Sequence, residues 1–201
     1  MARVSLKEQM QRVREDAIVD AVNQLLATKG YELMTVDEVA AEAGLAKASL
    51  YKLFTSKEEL AAAAMVRVLE RALAQAEALE QQEADARARL EAMVRWTLQV
   101  QLAGEMPTLP AQNSRLVAAL KGHRAYMDRL FELSDRLGGW IVEAQKRGGV
   151  NPKLPSELVL FTMFARACDP VLGMLKASGQ YSDEQLVELL LATTFQGLAG
   201  G

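Results

Sequence analysis

Three short stretches share one pattern: Thr35-Val36-Asp37-Glu38, Ser56-Lys57-Glu58-Glu59 and Ser182-Asp183-Glu184-Gln185. Each places a hydroxyl residue three positions before a Glu or Gln. The hydroxyl accepts the third amide while the longer side chain reaches back to the first, so each stretch marks the start of a helix. Nowhere does the chain alternate apolar and polar residues as a half-buried strand does. Alanine, leucine, glutamate and arginine dominate and β-branched residues are few, which again favours helix. The expected fold is all-α.

The helical periodicity predicts about nine helices. The first runs over about 4–29, with Ile18, Ala21, Val22, Leu25 and Leu26 on one apolar stripe and Gly30 closing it. A short helix follows Thr35, with Val36, Val39, Ala40 and Ala43 inward and Gly44 at its end. Another spans 46–54, and a long one runs from the second capping signature to about 82. The rest read as helices over about 84–103, 112–120, 122–147, 155–177 and 183–198. Gly104-Glu105-Met106-Pro107 with Pro110, and Gly148-Gly149-Val150-Asn151-Pro152, punctuate them. Pro170 falls inside the 155–177 pattern and should kink it, because its ring conflicts with the Arg166 carbonyl.

A chain of 201 residues buries a sizeable core and sits near the size where one domain becomes two. The expected division is a smaller N-terminal domain over 1–56 and a larger helical domain over 57–201. The single cysteine excludes an intrachain disulfide framework. The first fourteen residues are polar and charged, unlike a signal peptide, and the strongly apolar run Leu158–Ala165 is short for a membrane span. A cytoplasmic protein without a membrane partner is expected.

Residues 18–54 have the spacing of a helix-turn-helix, in which two short helices cross steeply over a three- or four-residue turn. Ala40 supplies the small residue at the crossing and Gly44 the permissive turn position. On the second helix Ala46, Leu50, Leu53 and Phe54 fall on one inward arc. Ala48 and Lys52 point the opposite way, flanked by Ser49 and Tyr51, with Lys47 at the edge. Small, hydroxyl and cationic groups on the outer face suit a major groove: close approach, base-edge contacts and phosphate contacts respectively. Net charge does not carry this reading. The formal charge is −3, and the first sixty residues hold eight Lys and Arg against ten Asp and Glu. The local bias does carry it, since Leu45 to Lys57 contains Lys47, Lys52 and Lys57 and no acid.

The stretch Thr35 to Leu60, TVDEVAAEAGLAKASLYKLFTSKEEL, resembles the DNA-binding signature of the TetR family. It includes the Leu-Tyr-x-x-Phe core and the Ser-Lys-Glu-x-Leu start of the next helix. The helix before it, Ile18 to Leu26 with Gly30, is similar too. The resemblance implies base contacts from Lys47, Ala48 and Ser49, and phosphate contacts from Thr35, Tyr51 and Lys57, with Lys52 beside them. Two positions depart from the pattern. Ala46 stands where a serine usually caps the recognition helix, at a cost of about 0.5–2 kcal/mol, and Leu53 stands where a histidine is common.

The helices over 155–177 and 183–198 are apolar around most of their circumference and so have two surfaces to bury. A second copy of the chain is the simplest partner, and the resemblance implies a four-helix dimer interface. Phe164, Cys168, Leu172, Leu186, Leu190 and Phe195 are its expected members. The resemblance also implies an effector pocket, for which Met65, Met93, Trp96, Val100, Met127, Phe131 and Phe161 are the candidates, opening near the 104–112 loop. Met-rich apolar surfaces adapt to ligands, and they also fill cores. His123 and Cys168 are the only residues of their kinds, too few for a metal site. No cofactor is expected.

The expected function is a DNA-binding transcription regulator: a homodimeric repressor of a palindromic operator, released by a small, largely apolar ligand. One alternative is an all-α small-molecule-binding module whose DNA-binding end has decayed. The other is a helical enzyme that depends on Cys168 or His123.

Overall fold

A computed structural model describes residues 5–108 and 113–197. The expected helix limits at 4, 112 and 198, and Pro110 of the expected loop, lie outside the described residues. Among those residues the chain is all-α, with eleven α-helices, one 3₁₀ turn and no strand. In order they are α1 (Leu6–Thr28), α2 (Gly30–Leu33), α3 (Val36–Glu42), α4 (Lys47–Leu50), α5 (Lys57–Gln82), α6 (Ala86–Leu102), α7 (Arg115–Gly122), α8 (Arg124–Lys146) and α9 (Ser156–Ala165). The 3₁₀ turn Arg166–Cys168 follows, then α10 (Pro170–Ser178) and α11 (Asp183–Phe195). The count exceeds the expected nine because α2 is a single extra turn and the 155–177 helix is two.

Helices start at all three capping signatures, and two of the three form reciprocal boxes. Glu38 N donates to Thr35 Oγ1 at 3.2 Å while the Glu38 carboxylate takes the Thr35 amide at 3.1 Å. The Ser182–Gln185 pair is reciprocal in the same way. The Ser56 pair is altered: Glu59 N donates to Ser56 Oγ at 3.0 Å, but the Glu59 carboxylate reaches the amide and hydroxyl of Thr55 instead. A fourth box, Ser5–Glu8, opens α1.

The chain packs as two compact units. The first comprises Met1–Leu69 and Pro107–Asp128, the second Glu70–Met106 and Arg129–Gly201. The first unit therefore extends past the 1–56 expected from sequence, because α1 to α4 do not enclose their apolar faces by themselves. Ile18, Val22 and Leu26 of α1, Val39 of α3 and Leu50 of α4 are buried against Leu60, Ala61 and Ala64 of α5 and Leu116 and Leu120 of α7. Thr108 ties its segment to the end of α1, donating its hydroxyl to Leu26 O at 3.0 Å.

In the second unit α6 packs against α11 and against the 3₁₀ turn. Arg95 of α6 pairs with Glu188 of α11, and Trp140 of α8 donates its indole N–H to Glu80 of α5 at 3.1 Å. The expected Pro170 kink is a full break. Asp169 caps α10 by accepting the Val171 amide at 2.9 Å, and Pro170 takes the first helical position, where its missing amide costs nothing. Asp169 is buried and paired with Arg166, an i,i+3 ion pair at the break. The run Ser156–Ser178 is long and apolar enough by composition alone to cross a membrane, yet this ion pair and the 3₁₀ turn interrupt it.

Candidate nucleic-acid interface

The proposed recognition element begins where α3 stops. The Leu45 amide reaches back to Ala40 O at 2.9 Å and the Gly44 amide to Ala41 O at 3.1 Å. These paired bonds close α3 in the Schellman pattern, which requires a left-handed residue between them. Gly44 supplies it, with φ of 65°. The turn delivers the chain to Ala46, whose backbone is extended (φ −70°, ψ 139°), the conformation of a helix N-cap.

Ala46 makes no side-chain cap bond. The following coil is correspondingly short and tight: the Ser49 amide bonds Ala46 O at 2.8 Å in a 3₁₀ step, and regular helix lasts only from Lys47 to Leu50. Hydrogen-bonded turns carry the coil on, with Phe54 N donating to Leu50 O at 2.9 Å. The expected 46–54 helix is thus a four-residue helix plus a turn. Ala46 is exposed, not on the inward arc, because it precedes the helix. Leu50 is fully buried, with Leu53 and Phe54 half-buried beside it. One deeply set leucine holds the segment, so the opposite side faces out: Ala48 and Lys52 are exposed, Tyr51 is 47% exposed and Ser49 is half-buried.

The cations around this segment are not equivalent. Lys47 is exposed but pairs with Asp37 of α3 at 2.8 Å, and that hydrogen bond raises its pKa above the ordinary lysine value. Lys57 lies over the Tyr31 ring, 4.4 Å from its centroid, and donates to Glu32 O at 3.4 Å. Tyr31 is pushed well above the usual phenol range by burial and by its hydrogen bond to Glu58. Lys52 is held in no ion pair among the described residues. The start of α3 is also occupied. Glu38 bonds Thr35 and pairs with Lys29, which holds its carboxyl below the usual range, and the Thr35 hydroxyl is engaged with it. A phosphate approaching Thr35 therefore meets a carboxylate already in place, as the capping signature implies.

Residues 18–64 match the model of the bacterial regulatory proteins of the tetR family, and this segment contains the whole element just described. Over these residues the chain carries a DNA-binding segment of the tetR kind, and this makes it a DNA-binding transcription regulator. Solved structures with the same fold extend the likeness over nearly the whole chain. The fatty acid degradation regulator FadR from Bacillus halodurans superposes with a TM-score of 0.71 at 20% identity, covering 94% of this chain and 97% of that one. FadR from Bacillus subtilis in complex with stearoyl-CoA gives 0.69 at 19% identity, covering 92% and 99%. AibR in complex with isovaleryl coenzyme A and operator DNA gives 0.64 at 22% identity, covering 90% and 98%. At these identities the likeness is one of fold. A comparison with curated protein sequences finds no match.

The pocket candidates named from the sequence divide between the two units. Met65 is buried in the core of the first unit, and Met127 is half-buried in the same unit. Met93 and Val100 are buried in the second unit and Trp96 is half-buried. Phe131 and Phe161 are 58% and 57% exposed. Helical spacing identifies which residues are apolar, but not which of two apolar sides a neighbour covers.

The expected dimer residues differ in how far their own chain covers them. Leu172, Leu186 and Leu190 are buried in their own chain, while Phe164, Cys168 and Phe195 are half-buried. The exposed apolar side chains of these helices are instead Leu158, Phe161, Val171, Met174 and Leu189. His123 has a local structural task, its Nδ1 accepting the Tyr126 amide at 3.2 Å at the start of α8.

Proposed function

We propose that the chain is a cytoplasmic, homodimeric repressor that occupies a palindromic operator and leaves it when a small, largely apolar ligand binds. The observation that carries this is the recognition segment, with Leu50 buried and Ala48, Tyr51 and Lys52 turned outward. Lys47, Ala48 and Ser49 would meet base edges, and Tyr51, Lys52, Lys57 and Thr35 the backbone. Two-fold symmetry would place a second segment about 34–36 Å away, in the next major groove. The exposed side chains of α9 to α11 favour this pairing, since Phe161 and Met174 (73% exposed) otherwise stand in water. Phe161→Glu should convert the dimer to a monomer in light scattering, while Leu172→Ala should lower stability instead.

For the ligand, fold relatives in complex with stearoyl-CoA and with isovaleryl coenzyme A make acyl thioesters the first class to test. A ligand that prefers a dimer with mis-spaced recognition segments lowers operator affinity, and linkage requires operator to lower ligand affinity equally. The test is footprinting of the promoter region beside its own gene, with acyl-CoAs of graded chain length added. Protection that one chain length relieves supports the reading. Folded dimer giving no protection anywhere removes it.

A second reading, a ligand-binding module with weakened DNA binding, is favoured by the uncapped Ala46 and by Leu53 in place of a polar group. Under the repressor reading Lys47→Ala and Tyr51→Phe weaken duplex binding. Under the second reading neither matters.

A further inference from the structure

The family match begins at residue 18, but α1 begins at Leu6. Its first turns are mostly exposed and bury nothing that their apolar side chains would explain, with Leu6 73% and Met10 52% exposed. They do form one wall of an open groove whose other wall is the recognition segment. Lys7, Gln11 and Arg14 face Ser49 and Lys52 across a floor that includes Met10 and Leu53. The wall residues lie at i, i+4 and i+7, one face of a helix. No carboxylate lines the groove.

We propose that this groove seats the sugar-phosphate backbone beside the major-groove contact, making Lys7 and Arg14 further DNA-binding residues. The proposal rests on the DNA-binding reading above and extends it to a segment outside the family motif. Charge selects the occupant. In a chain of net charge −3, three cations meet here without an acid between them. Among the described residues Lys7, Arg14 and Lys52 are in no ion pair, whereas Lys29, Lys47 and Arg67 nearby in the unit are each paired with carboxylates. Of the acids on the same turns, Glu8 closes the capping box with Ser5, and Glu15 accepts from Nε2 of the groove residue Gln11 at 2.9 Å without itself lining the groove. Lys7 and Arg14 are separated by about 10 Å along the helix, the axial rise of about three phosphates on one strand. The apolar floor suits deoxyribose carbons, and the cationic rim suits the phosphates.

The test uses the full chain and two duplexes, the footprinted operator and a scrambled one, with fluorescence anisotropy from low to high salt. Each phosphate neutralised contributes about 0.9 to the slope of log affinity against log salt. Lys7→Ala with Arg14→Ala should flatten the slope by about 1.8 per subunit. It should also weaken both duplexes alike at low salt, because backbone contacts do not read sequence. Lys7→Arg with Arg14→Lys should restore the slope. Alanine is a good helix former at exposed positions, and unchanged circular dichroism checks the fold. An unchanged slope in the alanine pair, alongside weakened operator binding by Lys47→Ala, overturns this proposal and leaves the DNA-binding reading standing. Wild-type chain that binds neither duplex overturns both.

Discussion

Replacing Ala46 with serine isolates the missing cap. The backbone at 46 is already in N-cap conformation and its side chain is exposed, so a hydroxyl there meets no steric obstacle. It would accept the Ala48 or Ser49 amide, as capping hydroxyls do, for about 0.5–2 kcal/mol. The Ser49 amide already has Ala46 O at 2.8 Å, so the gain belongs in the lower half of that range, about 1 kcal/mol. In thermal melts this raises Tm by about 2–4 °C if the chain unfolds as one, or about 4–8 °C if the first unit melts alone. The hydroxyl is also a neutral phosphate donor, so duplex affinity should rise with no change in salt slope, because no further counterion is released. Thr35→Ala provides the opposite arm, removing a cap that is present and lowering Tm by a comparable amount. Tm unchanged or lowered in Ala46→Ser, while Thr35→Ala falls as expected, would refute the claim that an absent cap is what shortens α4.

Leu50→Ala should cost about 2–5 kcal/mol in denaturant unfolding and abolish duplex binding, because the fully buried anchor sets the outward face. Asp37→Asn should release Lys47 from its 2.8 Å partner and steepen the salt slope by up to about 0.9; an unaltered slope would mean that Lys47 does not meet phosphate. Acid should destabilise the first unit. The Glu58 carboxyl is held below its ordinary value by its own backbone amide and by Tyr31, and that of Glu59 by the Thr55 hydroxyl and amide. Depressed carboxyls stabilise the fold above the unfolded value of 4.5, and this stability is lost as pH falls through the folded values. Melts should therefore decline below about pH 4.5, and Glu59→Gln should flatten part of the decline.

Helix identity, helix starts and the position of the recognition segment were legible in the chain because each depends on residues a few positions apart. Thr35 caps Glu38, Gly44 closes α3, and Leu50 sits one helical step from the face it anchors. The signal for the α1 groove was also present, as Lys7, Gln11 and Arg14 share a face, but its meaning depended on Ser49 and Lys52 arriving opposite.

What sequence alone determined is the menu: all-α, a helix-turn-helix near the N-terminus, and more apolar surface on α9 to α11 than one core uses. Tertiary structure decided which side of each helix was spent. It buried Leu172, Leu186 and Leu190 and left Phe161 and Met174 outside, joined α7 and the first half of α5 to the first unit, and let Asp37 and Tyr31 claim Lys47 and Lys57. The physical reason is that burial and ion pairing depend on distances between elements far apart in the chain, and local periodicity fixes only the directions within each element.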